Sequence, residues 1–205
     1  MRRRQAPKAL SGRYQCTGLD SVWTADVTQL GKLSLLLIMD LAPRQVVGHM
    51  LSPKSPSAMD LVRLLTGSFS SRQRPKMFHS DSGDIFTSKV VTNLLESECV
   101  VISRGNQKYR KNHNQAHERL HGTMKGLLVR KLYALMGDAM PHTKENAGLW
   151  LEQMPLEEAR ALVQETIELY NSKFHRCLPQ PGRHRDSGLR RRRGPLGSKR
   201  LIGWR

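Results

Sequence analysis

Short apolar segments separated by turns fill the first quarter of the chain. Three of them are rich in aliphatic and β-branched side chains: residues 22–29, 32–39 and 45–51. Gly31 and Pro43 lie in the intervening dipeptides Leu-Gly and Ala-Pro, which favour turns. The pattern predicts three consecutive strands that pair as an antiparallel meander.

Helical and strand patterns alternate in the rest of the chain. Apolar residues at helical spacing follow Ser57 and predict a helix with Met59, Val62, Leu65 and Phe69 on one face. The other predicted elements are a strand at 75–78, a helix that begins at Thr87 or Ser88, a strand at 99–102, a helix over about 114–133, and a helix from Pro155 through Tyr170.

The charge balance of the chain points to a polyanionic partner. Its 205 residues include 34 Lys and Arg against 17 Asp and Glu, which gives a formal net charge of +17. Such an excess attracts polyanions and makes their binding sensitive to salt. Charge by itself does not distinguish DNA from RNA or from an anionic membrane surface.

The apolar runs and the cysteine positions argue against a membrane-spanning protein and against a disulfide-rich one. The longest apolar run, residues 33–39, is too short to span a bilayer, and the basic stretch 1–8 has no apolar region behind it. Cys16, Cys99 and Cys177 form no Cys-x-x-Cys pair, so neither a disulfide framework nor a cysteine zinc site is indicated. We therefore expect a soluble, intracellular protein with no membrane partner.

Basic residues are concentrated at both ends of the chain. We predict a basic flexible arm or linker over residues 1–20, a folded core over 21–175 and an arginine-rich, disordered tail over 176–205. Each end is interpreted either as a solvated tail or as a non-specific phosphate-binding arm. The run from Arg190 to Arg193 also fits a nuclear localisation signal.

Three acidic residues lie in distinctive local sequences. Asp26 occurs within Trp-Thr-Ala-Asp-Val-Thr, Asp81 within His-Ser-Asp-Ser-Gly-Asp-Ile-Phe-Thr-Ser, and Glu118 within Asn-Gln-Ala-His-Glu-Arg-Leu-His-Gly-Thr-Met-Lys. A carboxylate within a strand, as at Asp26, is costly unless it is paired or bound to a metal ion. Taken singly, Asp81 also fits an Asx turn and Glu118 a solvated helix position. Because hard divalent cations prefer oxygen ligands, all three are candidate metal ligands.

These three blocks resemble the DDE catalytic core of retroviral integrases and insertion-sequence transposases. Trp23 and Thr28 flank the first acid as in that family, the second block matches at every specified position, and Lys125 stands where the family has a DNA-contacting lysine. The resemblance covers about residues 22–170. It implies an α/β architecture, namely the ribonuclease H-like fold with a five-stranded mixed sheet flanked by helices, and an integrase-type catalytic core over residues 21–175.

The resemblance also implies the chemistry. Asp26, Asp81 and Glu118 would be the catalytic residues and the ligands of two Mg²⁺ or Mn²⁺ ions in phosphodiester transfer. The expected enzyme is a DDE polynucleotidyl transferase that cleaves element ends and joins them to target DNA as a homo-oligomer, with a separate polypeptide as a candidate for end recognition. The alternatives are a catalytically inactive or domesticated DNA-binding remnant and a simple nuclease on the same fold.

Basic and histidine residues near Glu118 are candidate DNA contacts. The basic ones are Lys108, Arg110, Lys111, Arg119, Lys125 and Arg130. Seven residues nearly complete two helical turns, so Lys125 is expected on the same face as Glu118. His113, His117 and His121 recur every four residues. Because no fourth ligand has a matching spacing, we interpret them as solvent-facing or phosphate-contacting and not as zinc ligands.

Overall fold

The apolar segments of the chain fold into strands and the periodic segments into helices. The structure is a computed structural model, and it describes residues 18–105, 115–137 and 146–172. Its strands are β1 (Val22–Leu30), β2 (Leu33–Asp40), β3 (Gln45–Ser52), β4 (Met77–Ser80) and β5 (Val101–Arg104). Its helices are α1 (Ala58–Ser71), α2 (Asp84–Thr87), α3 (Lys89–Ser97), α4 (Gln115–Met136), α5 (Asn146–Gln153) and α6 (Leu156–Ser172).

The strands form one mixed sheet in the order β3-β2-β1-β4-β5. The β1–β2 and β2–β3 pairs are antiparallel and are joined by short turns, whereas the β1–β4 and β4–β5 pairs are parallel and need helical connections. The predicted meander and the predicted five-stranded mixed sheet flanked by helices are therefore confirmed. Strand β1 lies in the middle, hydrogen-bonded on both sides.

Helices cover both faces of the sheet, and the sequence of β2 reflects this. All eight of its residues are buried, as expected of a strand with two covered faces. Leu35 and Leu37 pack into a core with α4, α5 and α6, while Leu36 and Ile38 pack into a second core with α1 and α3. The alternation of side chains along a strand thus divides β2 between the two layers.

The same alternation divides the side chains of β1. Trp23 and Ala25 belong to the core with α1 and α3. Thr24 and Asp26 face the opposite layer, where their side chains contact α4. The central strand therefore presents two polar groups to an otherwise apolar interface.

A buried charge cluster joins the sheet to the end of α1. The fully buried carboxylate of Asp40 accepts a hydrogen bond from the backbone N–H of Asp20 at 2.8 Å and lies 3.5 Å from Nη2 of Arg72. The indole of Trp23 donates to Asp20 Oδ1 at 2.9 Å. Burial raises the pKa of Asp40 in spite of these partners. The cluster holds the start of β1 against Arg72, the residue that follows α1.

The helices differ from the prediction in two respects. Met59 is 48% exposed, because the buried face of α1 runs instead through Leu61, Leu65, Ser68 and Phe69. Ser68 can be buried there since its hydroxyl donates to a carbonyl of the preceding turn. The sequence pattern also does not predict α2 and α5, which are only four and eight residues long.

Most of the predicted basic ends lies outside the described residues. Of the arm over 1–20 only residues 18–20 are described, and the tail over 176–205 lies entirely outside. Both stay predictions, as does the boundary of the core at residue 175. Among the described helices, none has the length and apolar character needed to cross a membrane.

We expect Gly148→Ala to destabilise the protein, because two glycines meet where α5 packs against the β1–β2 turn. A Cβ atom at Gly148 would lie 2.2 Å from the backbone nitrogen of Gly31. Displacing α5 to relieve that clash should lower the free energy of unfolding by about 1–3 kcal/mol. In α1, a Cβ at Gly67 would meet nothing within 4 Å, so Gly67→Ala is the control and should stabilise by about 0.5–1 kcal/mol. Urea unfolding measures both, and equal effects would contradict the close contact.

Candidate active site

A carboxylate on the central strand is the middle of the candidate site. Asp26 lies on β1 opposite Leu37 of β2, and its side chain is 24% exposed. Its Oδ1 accepts a hydrogen bond from the backbone N–H of Val27 at 2.9 Å, and its Oδ2 lies 3.2 Å from Nε2 of His121 on α4. The charge that would be costly inside a sheet therefore has partners.

A second polar pair, His117 and Thr24, lies one turn of α4 before His121. Nε2 of His117 is 2.5 Å from Oγ1 of Thr24, and each of these residues is only 3% exposed. Thr24 and Asp26 are two residues apart on a strand, a distance of about 6.8 Å, while His117 and His121 are four apart on a helix, about 6 Å. Because the two spacings nearly match, two histidines on one face of α4 contact two successive β1 residues that face this helix.

Asp26, His117 and His121 converge on one point. One potential metal-ligand atom from each residue lies within 4.8 Å of the other two. The imidazole rings have centroids 5.7 Å apart and planes inclined by 29°. Across residues 18–105, 115–137 and 146–172, no other three His, Cys, Asp or Glu side chains come together in this way.

Burial and these contacts shift the pKa values of Asp26 and His117. Burial opposes the charged form of Asp26, but the hydrogen bond from His121, the charge of the two imidazoles and the N–H of Val27 together outweigh it and lower the pKa of Asp26. Burial lowers the pKa of His117 to about 4. At neutral pH, Asp26 is therefore ionised and His117 is neutral, and these are the forms that bind metal ions.

Asp81 lies just beyond the end of β4. Its Oδ1 accepts a hydrogen bond from the backbone N–H of Gly83 at 2.9 Å, which forms an Asx turn before α2. Thr24 of β1 pairs with His79 of the parallel strand β4, so the register continued by two residues brings Asp81 to the level of Asp26. Adjacent strands are about 4.8 Å apart, so the two acids belong to neighbouring positions of the sheet.

Glu118 lies on α4 between the two histidines and is exposed. Its neighbours on the helix surface at i+3 and i+7 are His121 and Lys125. Within the described residues, Asp26, Asp81 and Glu118 do not bring their ligand atoms within 4.8 Å of one another. The three-acid site therefore stays a prediction, and it would need the Glu118 side chain to turn towards β1.

The basic residues predicted to contact DNA differ in exposure. Arg119 and Arg130 on α4 are exposed, and Lys125 is half-buried. DNA contact by these residues stays a prediction. The other three predicted contacts lie outside the described residues: Lys108, Arg110 and Lys111.

The structure corrects the interpretation of the histidines on α4. His117 is buried and the His121 side chain is 13% exposed, so neither is solvent-facing. His113 lies outside the described residues. Ligand spacing along the helix gives no hint of Asp26, which comes from a strand 95 residues before His121. A sequence signal for the pair does exist: the spacing His-Glu-x-x-His at 117–121 puts two imidazoles on one face of a helix.

Solved integrase catalytic cores have a similar fold. The catalytic core domain of BIV integrase gives a TM-score of 0.54 at 18% identity, over 76% of this chain and 87% of that one. The HTLV-2 integrase catalytic core domain in complex with magnesium gives 0.51 at 17% identity, over 72% and 82%. A chain of the simian T-cell lymphotropic virus intasome in complex with PP2A regulatory subunit B56 gamma gives 0.61 at 15% identity, over 98% and 66%.

At these identities the likeness establishes the fold and nothing finer. The chain has the ribonuclease H-like fold of these cores, a five-stranded mixed sheet flanked by helices, as the sequence resemblance implies. No protein-family profile matches the chain, and no curated protein matches it.

We expect the protein to lose stability as the pH falls from 6.5 towards 4, in part through His117. The unfolded chain takes up a proton at this imidazole below its ordinary value of 6.5, whereas the folded protein does so only near 4. The contribution of His117 is therefore fully present above 6.5, and its loss amounts to about 3 kcal/mol. The variant His117→Gln should flatten this part of the curve of unfolding free energy against pH. An unchanged pH dependence would contradict a buried, neutral imidazole.

Proposed function

We propose that this chain is a metal-dependent DNA integrase or transposase that catalyses end cleavage and DNA strand transfer. The observation that carries the proposal is the parallel register of β1 and β4, in which Thr24 pairs with His79. Continued by two residues, this register puts Asp81, just beyond the end of β4, beside Asp26 of β1. Glu118 lies on α4, which packs over the face of the sheet that includes Asp26. The integrase-like fold supports the same class of reaction.

The residues present suit hard divalent cations. Asp26 is ionised at neutral pH and partly exposed, and Asp81 and Glu118 add further oxygen donors. These three acids would hold two Mg²⁺ or Mn²⁺ ions, and bound ions of this kind would supply activation of the attacking oxygen and charge neutralisation at the leaving oxygen. The solved HTLV-2 core that resembles this chain is a magnesium complex, which supports the choice of ion.

The basic residues bind and orient the DNA in this proposal. Arg119 and Arg130 offer exposed guanidinium groups on α4, and the ammonium of Lys125 lies two turns after Glu118. Contacts of this kind fix the position of the duplex backbone and so bring the scissile phosphate to the acids. The net charge of +17 adds attraction that does not depend on sequence. Lys108, Arg110 and Lys111 are proposed DNA contacts as well, and they lie outside the described residues.

We further propose that the enzyme works on DNA as a homo-oligomer. One similar chain is part of an intasome, and this chain spans 66% of its length. A separate polypeptide that recognises the element ends is a candidate partner.

A DNA-binding protein without catalytic activity, such as a domesticated remnant, is the second candidate. The observation that favours it is the contact between Asp26 Oδ2 and His121, which engages the carboxylate that catalysis needs. Such a protein would keep its basic surfaces. It would bind DNA and show no metal-dependent strand transfer.

Removing any one of the three acids should abolish catalysis and leave DNA binding intact or slightly stronger. The variants Asp26→Asn, Asp81→Asn and Glu118→Gln each lose a metal ligand and one negative charge, so we expect strand transfer to fall by at least about 10³-fold. The assay joins a pre-cleaved duplex with a randomised terminus to target DNA in Mn²⁺, so that recognition of a particular end sequence is not required.

Asp84→Asn is the matched control for these variants, since Asp84 is an exposed acid three residues after Asp81. It should keep full activity. Full Mn²⁺-dependent activity in any of the three variants would contradict the assignment of that residue as a ligand. DNA binding by the unmodified chain with no strand transfer would favour the non-catalytic candidate.

Replacing Lys125 by Glu should impair end processing and strand transfer by misplacing the DNA. We expect a loss on the order of 10²-fold in both steps, with metal binding by the acids undisturbed. Lys54→Glu is the control, because Lys54 is an exposed lysine beyond the end of β3. Equal losses in the two variants would show that only net charge matters and would contradict a specific contact at Lys125.

A further inference from the structure

Helix α4 carries the sequence His117-Glu118-Arg119-Leu120-His121. This is the spacing His-Glu-x-x-His, in which two imidazoles one turn apart bind zinc from one face of a helix. Both histidines lie on the face of α4 that contacts β1.

Asp26 supplies a third donor from the strand. Its Oδ2 lies 3.2 Å from Nε2 of His121, and ligand atoms of Asp26, His117 and His121 all lie within 4.8 Å of one another. Two ligands on one tetrahedral zinc ion, each at about 2.0–2.1 Å, are about 3.3 Å apart. Asp26 and His121 therefore already have the separation of two ligands of one ion, and a shift of the His117 ring on the order of 1 Å would add the third.

Each imidazole also has a buried nitrogen that lacks a partner. Nδ1 of His117 and Nδ1 of His121 are buried, and no group in the described part of the chain forms a hydrogen bond with either. His117 is 3% exposed, and its other nitrogen contacts the hydroxyl of Thr24. A buried polar atom without a partner costs about 1–3 kcal/mol, and an ion bound to Nδ1 of His117 would relieve that cost at His117. The Thr24 contact resembles the outer hydrogen bonds that orient metal-ligating histidines.

We propose that Asp26, His117 and His121 form a site for one borderline divalent cation, for which Zn²⁺ is the best match. Imidazole nitrogen suits Zn²⁺ and related transition metals, whereas Mg²⁺ prefers oxygen ligands in octahedral geometry. Three protein ligands leave a fourth position for water or a phosphate oxygen, as in catalytic zinc sites.

A zinc ion at this site would compete with the metal ions of the proposed strand-transfer reaction. This step of the inference rests on the proposed function. Asp26 would belong both to the zinc site and to the site for two Mg²⁺ ions. An ion held by Asp26, His117 and His121 withdraws that carboxylate from Mg²⁺. Zn²⁺ is therefore expected to inhibit strand transfer in competition with Mg²⁺.

Titration of the full chain with Co²⁺, after removal of metal by a chelator, tests the site without DNA. Co²⁺ replaces Zn²⁺ in such sites, and its visible absorption distinguishes tetrahedral from octahedral coordination. We expect one tetrahedral Co²⁺ per chain, displaced by Zn²⁺ but not by excess Mg²⁺. Zn²⁺ should also raise the Tm of the chain, because it binds the folded state.

Two ligand variants and a control assign the bound ion to these residues. His121→Gln and Asp26→Asn keep the size of the side chain, and each should weaken Co²⁺ binding by at least about 10²-fold and remove the increase in Tm with Zn²⁺. His49→Gln, on β3, should change neither. Thermal unfolding without metal shows that the variants fold before binding is compared.

The outcomes separate this inference from the proposed function. Unchanged Co²⁺ affinity in both His121→Gln and Asp26→Asn, or an octahedral spectrum alone, would overturn the zinc site. A tetrahedral site in a chain without strand-transfer activity supports the zinc site and counts against the proposed function. Strand transfer in Mg²⁺ by a chain that binds no Co²⁺ would support the proposed function and overturn the zinc site.

Discussion

The charge of Asp26 in the central strand is the constraint on which both the fold and the candidate site depend. Strand β1 is central in the sheet and the side chain of Asp26 is largely covered, so its carboxylate would carry a desolvation cost without a partner. Helix α4 supplies His121 for Asp26 and His117 for Thr24. Because the rest of this interface is largely apolar, the two polar pairs specify how α4 lies against β1 more narrowly than apolar packing would.

The same carboxylate belongs to both of the proposed metal sites. Towards β4 its neighbour is Asp81, an oxygen donor that suits Mg²⁺. Towards α4 its neighbours are His117 and His121, nitrogen donors that suit Zn²⁺. The side chain of Glu118, the oxygen donor of α4 in the proposed two-ion site, is exposed between the two histidines. A basic helix surface around these acids is compatible with either ion and with DNA as the partner.

Local sequence was sufficient for the three-stranded meander and for the placement of Asp26 within a strand and Asp81 at a strand end, whereas the five-stranded sheet was implied by the family resemblance. The apolar run of β2 and the turn after β4 that contains Asp81 are encoded within a few residues each, so periodicity and turn chemistry predict them. The pairing of Asp26 with His121 is not local, since it depends on how α4 packs across a strand 95 residues earlier in the chain. For the same reason Met59 was assigned to the buried face of α1, although tertiary packing selects the face with Ser68.

The central claim is that Asp26 binds a metal ion together with a ligand from the end of β4 or from α4. Anomalous diffraction from crystals of this chain grown with Mn²⁺ would test it most directly. The account predicts an anomalous peak about 2.0–2.2 Å from a carboxylate oxygen of Asp26. A second ligand should come from Asp81 or from the imidazoles of α4. Mn²⁺ bound only at exposed acids elsewhere, with the contact between Asp26 and His121 unchanged, would contradict it.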